Sequence, residues 1–402
     1  MSDLRRNILR FPGKRTGIVK TSMQNFSPIK WSEYFSEEEG IQTTDGVFHV
    51  YGRGTDGPIL LCLHGGGYSG LTWSLFAAEI VKLINCQVKA VDLRGHGKTT
   101  TSNDADLSLE VMANDVIEVA NKLSEKTGQP IILMGHSMGG AIAVETARKL
   151  DSILGLCVID VVEGTALDAL SSMQSILRGR PSHFKSLPHA IQWCYKGGQT
   201  HNLEAARVSM PGQVLNTKTG KLAADECDNA GLSTVDESPS HSDDLVASSY
   251  TIAEVEEELE ESEQSDKCTD CGKPPLPKSQ KTNTFKDPNI IKLEDNGMIF
   301  KWRIDLSKTE KFWTGWFKGL SQKFLDIHAP KLLLLANIHG LDTALTVGQM
   351  QGKFQMRVLA KSGHAIHEDQ PQKVAEVLSG YVVKQKLATP KPAFVHPDLP
   401  EC

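Results

Sequence analysis

From Gly57 onward, runs of apolar residues alternate with segments of helical spacing. GPILLCLHGGG is apolar until it ends in glycines, SLFAAEIVKLI repeats apolar residues every three or four positions, and CQVKAVDLRGHG is a second apolar run closed by a turn. The order then repeats: SLEVMANDVIEVANKLSEKTG predicts an amphipathic helix stopped at Gly128, followed by the run PIILMGH, the helix MGGAIAVETARKL and the run ILGLCVIDVV. Strands that are apolar at every position are covered on both faces, and the intervening helices supply the cover. The pattern therefore predicts the α/β class, with a mostly parallel central sheet and helices on both faces. It resumes late in the chain with KLLLLANI, FQMRVLAKSGH and the closing helix PQKVAEVLSGYVVKQKL.

Between the two halves lies a helical lid insertion with a polar loop inside it. Residues 166–216 keep helical spacing, whereas 217–290 are acidic and then rich in Lys and Pro, a composition unable to bury enough surface to fold alone. We expect a disordered loop there. Beyond it, Phe312, Trp313, Trp316, Phe317, Leu320 and Phe324 share one helical stripe, which predicts a packed lid helix or an aromatic wall over the site below. The expected division is a flexible basic N-terminus at 1–25, the first part of the core at 26–165, the helical lid at 166–216, the disordered loop at 217–290, the lid helix region at 291–328, the second part of the core at 329–388 and a flexible tail at 389–402.

Composition narrows the class. The 402 residues are 40% hydrophobic, and no stretch approaches the roughly 20 apolar residues that would cross a bilayer. The basic start MSDLRRNILRFPGKRTGIVK has no apolar run of signal length behind it, so a cytoplasmic or nuclear location is expected, with neither membrane nor nucleic acid as partner. The eight cysteines are scattered, several within apolar runs, as reduced thiols would be. The net charge of −6 conceals an uneven distribution: fifteen acidic residues and no Lys or Arg lie between Asp225 and Asp266, so the rest of the chain is basic. Cys268 and Cys271 have the spacing of metal ligands but lack a second pair, and no metal or other cofactor is expected.

The chemistry is concentrated at two glycine-rich turns and one late histidine. Gly135-His136-Ser137-Met138-Gly139 follows a predicted strand and opens a predicted helix, the context in which G-x-S-x-G lifts a serine hydroxyl above the edge of a sheet. The N–H of Met138 then points from a helix N-terminus toward the place where an oxyanion would form. His64-Gly65-Gly66-Gly67, at the end of an earlier strand, offers a second donor at Gly66, with Gly67 beside it. A serine hydroxyl needs a base, and Ser362-Gly363-His364-Ala365-Ile366-His367 follows the last apolar run; His364 is the expected base and His367 the fallback. His96 is expected to organise its own turn and His136 to be held within the serine turn. Two carboxylates could orient the base, Asp160 in CVIDVVEG and Asp342 in ANIHGLDTAL; the later strand is the commoner placement, yet position leaves both open.

The words HGGG, GHSMGGAIAV, GLCVIDVVEGTALDAL, RGRPSHFKSL, ARVSMPGQV, WRIDLSKTEKFWTGWFKGLS, LTVGQMQGKFQMRVL and GHAIHED, in this order, resemble the protein phosphatase methylesterases, a branch of the α/β-hydrolases. The similarity covers about residues 26 to 215 and 300 to 385; ANIHGLD departs from it, since the family has a more charged loop there. The resemblance implies an α/β-hydrolase fold and a triad of Ser137, Asp160 and His364, which selects Asp160 as the acid. It also implies hydrolysis of the methyl ester on the C-terminal leucine of the type 2A phosphatase catalytic subunit, with that phosphatase, including its scaffold or regulatory subunits, as partner of a chain that is a monomer when free. Two other readings share the motif: a generic small-molecule carboxylesterase, and a phosphatase-binding module that inhibits without catalysis. Ile252 to Glu257 looks like a relaxed version of a short motif recognised by a regulatory subunit of the phosphatase, or else is solvated linker.

Overall fold

Twelve strands carry the described chain: β1 (Glu37–Gln42), β2 (Gly46–Arg53), β3 (Ile59–Leu63), β4 (Gln87–Val91), β5 (Thr100–Thr101), β6 (Ile131–His136), β7 (Ile153–Ile159), β8 (His183–Phe184), β9 (Val214–Asn216), β10 (Phe300–Trp302), β11 (Lys331–Leu335) and β12 (Gln355–Val358). The computed structural model describes residues 24–150, 152–229, 299–337 and 341–395. Most of the acidic segment, the Ile252–Glu257 stretch and the Cys268–Cys271 pair lie outside the described residues. Five cysteines lie inside them; Cys62, Cys86, Cys157 and Cys194 are buried and Cys227 half-buried, all as free thiols. Among the described residues no helix is long and apolar enough to cross a membrane.

The central sheet runs β1-β2-β4-β3-β6-β7-β11-β12, with β5 pairing β2 at its margin. Contacts from β4 through β12 are parallel, whereas β1, β2 and β4 are joined antiparallel. Every residue of β3, β4, β6 and β11 is buried; β3 is apolar throughout, whereas β4 also buries Gln87 and Lys89, the latter answered by Glu37 and Glu39, and β11 opens with Lys331. On one face α2 (after α1, Ser74–Leu83), spanning Leu109–Thr127, packs beside α3 (Met138–Lys149); Val116, Val119, Ala120 and Leu123 meet Ile142, Ala143 and Val144 in one apolar cluster. On the other, α1 lies against the closing helix at Pro371–Lys384, burying Phe76, Ile80, Val374 and Leu378.

The lid begins with α4 (Glu163–Gly179) and continues through α5 (Leu187–Lys196) and α6 (Leu203–Ser209). It has its own three-stranded sheet, ordered β8-β10-β9, and its own apolar cluster around Phe184, Ile191 and Met210. Residues 217–229 differ from the disorder their composition suggests. Leu222 is buried in the second core cluster, α7 (Ala223–Asn229) follows it, and Lys98 Nζ meets Asp225 Oδ1 at 2.8 Å, so apolar anchoring and an ion pair hold the start of the acidic segment on the body.

The aromatic stripe also differs from a single helix. It divides into α8 (Glu310–Phe317) and α9 (Leu320–Asp326) at Gly319, whose φ of 75° is left-handed. The Glu163 carboxylate fixes the second start by accepting from Gly319 N at 2.7 Å and Ser321 N at 3.1 Å. Trp313, Trp316, Phe317, Leu320 and Phe324 remain buried in the main cluster, and Trp316 Nε1 donates to the Leu107 carbonyl at 2.7 Å.

One buried ion pair clamps the body. Arg94, after β4, donates to Asp115 on α2 through Nε at 2.8 Å and Nη2 at 2.7 Å, and also meets Asp45. Arg94→Ala would strand the buried Asp115 carboxylate, and we expect it to lower the unfolding free energy by about 3–5 kcal/mol in a denaturant titration; a change near zero would show that water reaches Asp115 in the native state.

Candidate active site

Two glycines make the turn between β6 and α3 sterically unique. A β-carbon at Gly135 would lie 2.1 Å from the Gly139 carbonyl oxygen, and one at Gly139 would lie 2.4 Å from the Leu63 carbonyl oxygen. Helix and strands thus meet backbone to backbone. Between the two glycines, Ser137 adopts φ 52° and ψ −123°, a conformation that costs a side-chain-bearing residue on the order of 1–3 kcal/mol. The turn is held by Ser137 N donating to Ile159 O at 3.0 Å and by Gly140 N donating to Ser137 O at 2.8 Å.

The first of these bonds sets Ser137 beside the end of β7. Asp160 turns away from that end with φ 51°, donates its N–H to Leu334 O at 2.8 Å and accepts from Ala336 N at 2.9 Å through Oδ1. Its Oδ2 lies 2.8 Å from His364 Nδ1. A carboxylate oxygen accepts, so Nδ1 carries the proton and Nε2 keeps its lone pair. Among the described residues the Ser137 hydroxyl has no hydrogen-bond partner. Asp342 is occupied elsewhere: it caps α10 (Thr343–Met350) by accepting from Leu345 N at 2.8 Å, and it takes the Ser321 hydroxyl. The structure brings Ser137, Asp160 and His364 to one edge of the sheet and leaves Asp342 outside the group.

The HGGG loop runs alongside. The β-position of Gly65 is 3.3 Å from Ser137 Cβ, and that of Gly66 is 3.7 Å from Met138 Sδ. Gly67 N donates to His96 Nε2 at 2.9 Å, whereas the N–H groups of Gly66 and Met138 have no partner among the described residues. Gly66 therefore has the free donor and Gly67 does not. His96 does more than organise its own turn, because it ties that turn to the oxyanion loop.

Residues that motif reading missed are those that aim the loops. His136 Nε2 donates to the His364 carbonyl at 2.9 Å, linking the serine turn to the His364 loop. Asp369 accepts from Gly363 N at 2.7 Å and from Thr200 Oγ1 at 2.8 Å, joining the His364 loop to the lid. His367 is fully buried, stacked 4.3 Å from Trp73, and bonds to Thr72 Oγ1 rather than facing Ser137. GHAIHED offered no signal that separates these roles, since each depends on what lies opposite in the folded chain.

Four of these histidines are neutral, two of them, His64 and His96, for a geometric reason. His64 donates through Nδ1 to Gly65 O and accepts Leu93 N at Nε2; His96 donates through Nδ1 to Arg94 O and accepts Gly67 N. A second proton on either ring would point at an amide hydrogen. Burial, the leading cause, pushes His96 down to about 4 and His367 to about 3, and holds His64 and His136 well below their ordinary value. These rings gain protons near pH 6.5 when unfolded but not when folded, so their stabilisation is complete above 6.5 and is lost as pH falls toward 4. Glu368, raised to about 7 by burial, acts in the opposite sense between its ordinary 4.5 and 7. Burial also lowers His49 and His189 and raises Asp92, Asp115 and Asp228; with six rings against four carboxyls, thermal unfolding is expected at a lower temperature at pH 4.5 than at pH 7, and equal or higher values would contradict the neutral-imidazole network.

Residues 60–236 match the Alpha/beta hydrolase family. Solved structures of the same fold include that of E-2-(acetamidomethylene)succinate hydrolase, with a TM-score of 0.58 at 13% identity over 86% of this chain and 99% of that one. An esterase from M. tuberculosis has a TM-score of 0.53 at 18% identity over 86% of this chain and 92% of that one. Far greater sequence likeness is found with protein phosphatase methylesterase 1. The Bos taurus protein is 47% identical over 92% of this chain and 90% of its own length, and the Homo sapiens protein 45% identical over 92% and 88%. The probable protein phosphatase methylesterase 1 of Caenorhabditis elegans is 37% identical over 92% of this chain and 80% of its own. With likeness of this extent spanning both halves of the sheet and the lid between them, the chain belongs to the protein phosphatase methylesterases, serine esterases of the α/β-hydrolase fold.

Proposed function

We propose that the chain hydrolyses the methyl ester on the C-terminal leucine of the type 2A protein phosphatase catalytic subunit through an acyl-enzyme on Ser137. The observation that carries the reading is the 2.8 Å contact between His364 Nδ1 and Asp160 Oδ2 beside a serine on a left-handed turn. The substrate is supported by the extent of the likeness to protein phosphatase methylesterases.

In this mechanism His364 Nε2 takes the Ser137 proton as Oγ attacks the ester carbonyl. The Gly66 and Met138 N–H groups hold the oxyanion, and the imidazolium returns its proton to departing methanol. Water, deprotonated by the same imidazole, then attacks the acyl-enzyme and frees the C-terminal carboxylate. Asp160 keeps the proton on Nδ1 and stabilises the imidazolium formed in both halves. No cofactor takes part. The acyl group is an entire protein, so the phosphatase, met in the cytoplasm or nucleus by a monomer of this chain, is both substrate and partner.

Ser137→Ala is expected to abolish both methanol release from the methyl-esterified phosphatase and labelling by a fluorophosphonate. Asp160→Asn, which presents the wrong tautomer, is expected to reduce kcat by about 10⁴-fold, whereas Asp342→Asn keeps kcat within about tenfold, because it alters only a helix cap and a bond to the Ser321 hydroxyl. Labelling that survives Ser137→Ala, or equal losses in the two aspartate variants, would refute the assignment.

A further inference from the structure

Arg180, just past the end of α4, is a cation with no anion. Its guanidinium carbon lies 3.9 Å from the Trp302 ring centroid and 5.6 Å from that of Trp193. The platform is rigid: Trp302 Nε1 donates to Pro181 O at 2.7 Å, and Phe184 and Trp193 both pack edge-on or tilted against it, with centroids 5.2 and 5.4 Å away. Among the described residues no hydrogen bond or ion pair reaches the guanidinium. Other buried or half-buried cations are answered: Arg94 by Asp115 and Asp45, Lys89 by Glu37 and Glu39, Arg303 by Asp104, and Lys331 by main-chain carbonyls. Burial lowers Arg180 to about 10, which leaves it charged at neutral pH.

A guanidinium stacked by its face on an indole keeps its in-plane N–H groups for another ligand. Those groups adjoin the oxyanion loop, since Nη1 is 3.6 Å from the β-position of Gly67. Gly65, two residues earlier, is the glycine that faces Ser137, and the turn closed by Tyr68 N donating to Gly65 O at 3.2 Å separates the two, so the guanidinium adjoins a different part of the loop from the part that meets the serine. A cation beside the loop suits a side chain on the acyl portion of the ester; the methanol portion is too small to supply one. Fork geometry favours a carboxylate.

We propose that Arg180 forms a carboxylate subsite beside the oxyanion loop, which takes an acidic side chain of the substrate's C-terminal segment upstream of the esterified residue. The assignment rests on the reaction proposed above, and makes Arg180 a specificity-determining residue for it.

The test is equilibrium binding to the Ser137→Ala protein, which needs no turnover. The probes are acetylated tetrapeptide methyl esters ending in leucine, with one Asp at each of the three preceding positions in turn, each paired with its Asn counterpart. At one position Asp is expected to bind about tenfold more tightly than Asn, with the ratio falling as salt is added. Adding Arg180→Met is expected to bring the ratio to one, and Arg180→Lys to retain part of it, which a loss of folding would not do. A ratio of one at every position, including the case of no measurable binding, or a ratio that survives Arg180→Met, overturns the subsite. Demethylation of the whole phosphatase by the wild-type protein is measured alongside. Its absence refutes the proposed reaction without altering the ratio; a flat ratio with demethylation intact refutes Arg180 alone.

Discussion

The contact of backbone on backbone at Gly135 and Gly139 is the constraint from which the site follows. Because α3 meets β6 and β3 without a side chain between them, the chain must reverse over a single residue, and Ser137 is driven to positive φ. The same reversal leaves the first N–H of α3, that of Met138, without a partner among the described residues and places the serine amide on the last carbonyl of β7. Asp160 is the next residue on that strand. Its distance from the base is thereby a consequence of sheet register, with His136 opposite Ile159, rather than of any local motif.

Around this turn the chain uses neutral imidazoles as structural connectors. His96 carries the Gly67 amide, His64 carries Leu93, and His136 holds the His364 carbonyl. Each link joins two loops from different strands, and each requires an unprotonated acceptor or a carbonyl in a dry interior. The arrangement leaves the Gly66 and Met138 amides without internal partners while occupying the Gly67 amide between them. At the HGGG loop it is His96, 29 residues from the Gly67 whose amide it occupies, that leaves Gly66 as the free donor.

What the sequence discloses is whatever repeats or is local. Apolar runs identify most of the parallel strands because burial on both faces leaves little polar alternation, although β4 buries Gln87 and Lys89, and G-x-S-x-G is readable because its glycines are a steric necessity. The acid was not readable on the same terms. Asp160 and Asp342 both follow a buried strand, so position left both open and only the family resemblance selected Asp160; the folded chain shows one facing an imidazole and the other capping a helix. The aromatic stripe kept its helical period across Gly319 although the helix did not, because α8 and α9 bury the same face against one cluster. Composition also overextended the polar loop, since it cannot register that Leu222 finds a core and Asp225 finds Lys98. Arg180 lies within RGRPSHFKSL, but nothing local to that stretch marks it, as its side chain is distinguished by the partner it lacks among the described residues.

The central claim is that the serine turn opens a protein's methyl ester at its acyl carbon. Reaction of the methyl-esterified phosphatase with this chain in heavy-oxygen water, read by mass spectrometry, tests it most directly. Attack by Ser137 followed by water predicts methanol that keeps its original light oxygen and a C-terminal carboxylate that gains one heavy atom. Methanol bearing the heavy oxygen, or none released at all, would contradict the account.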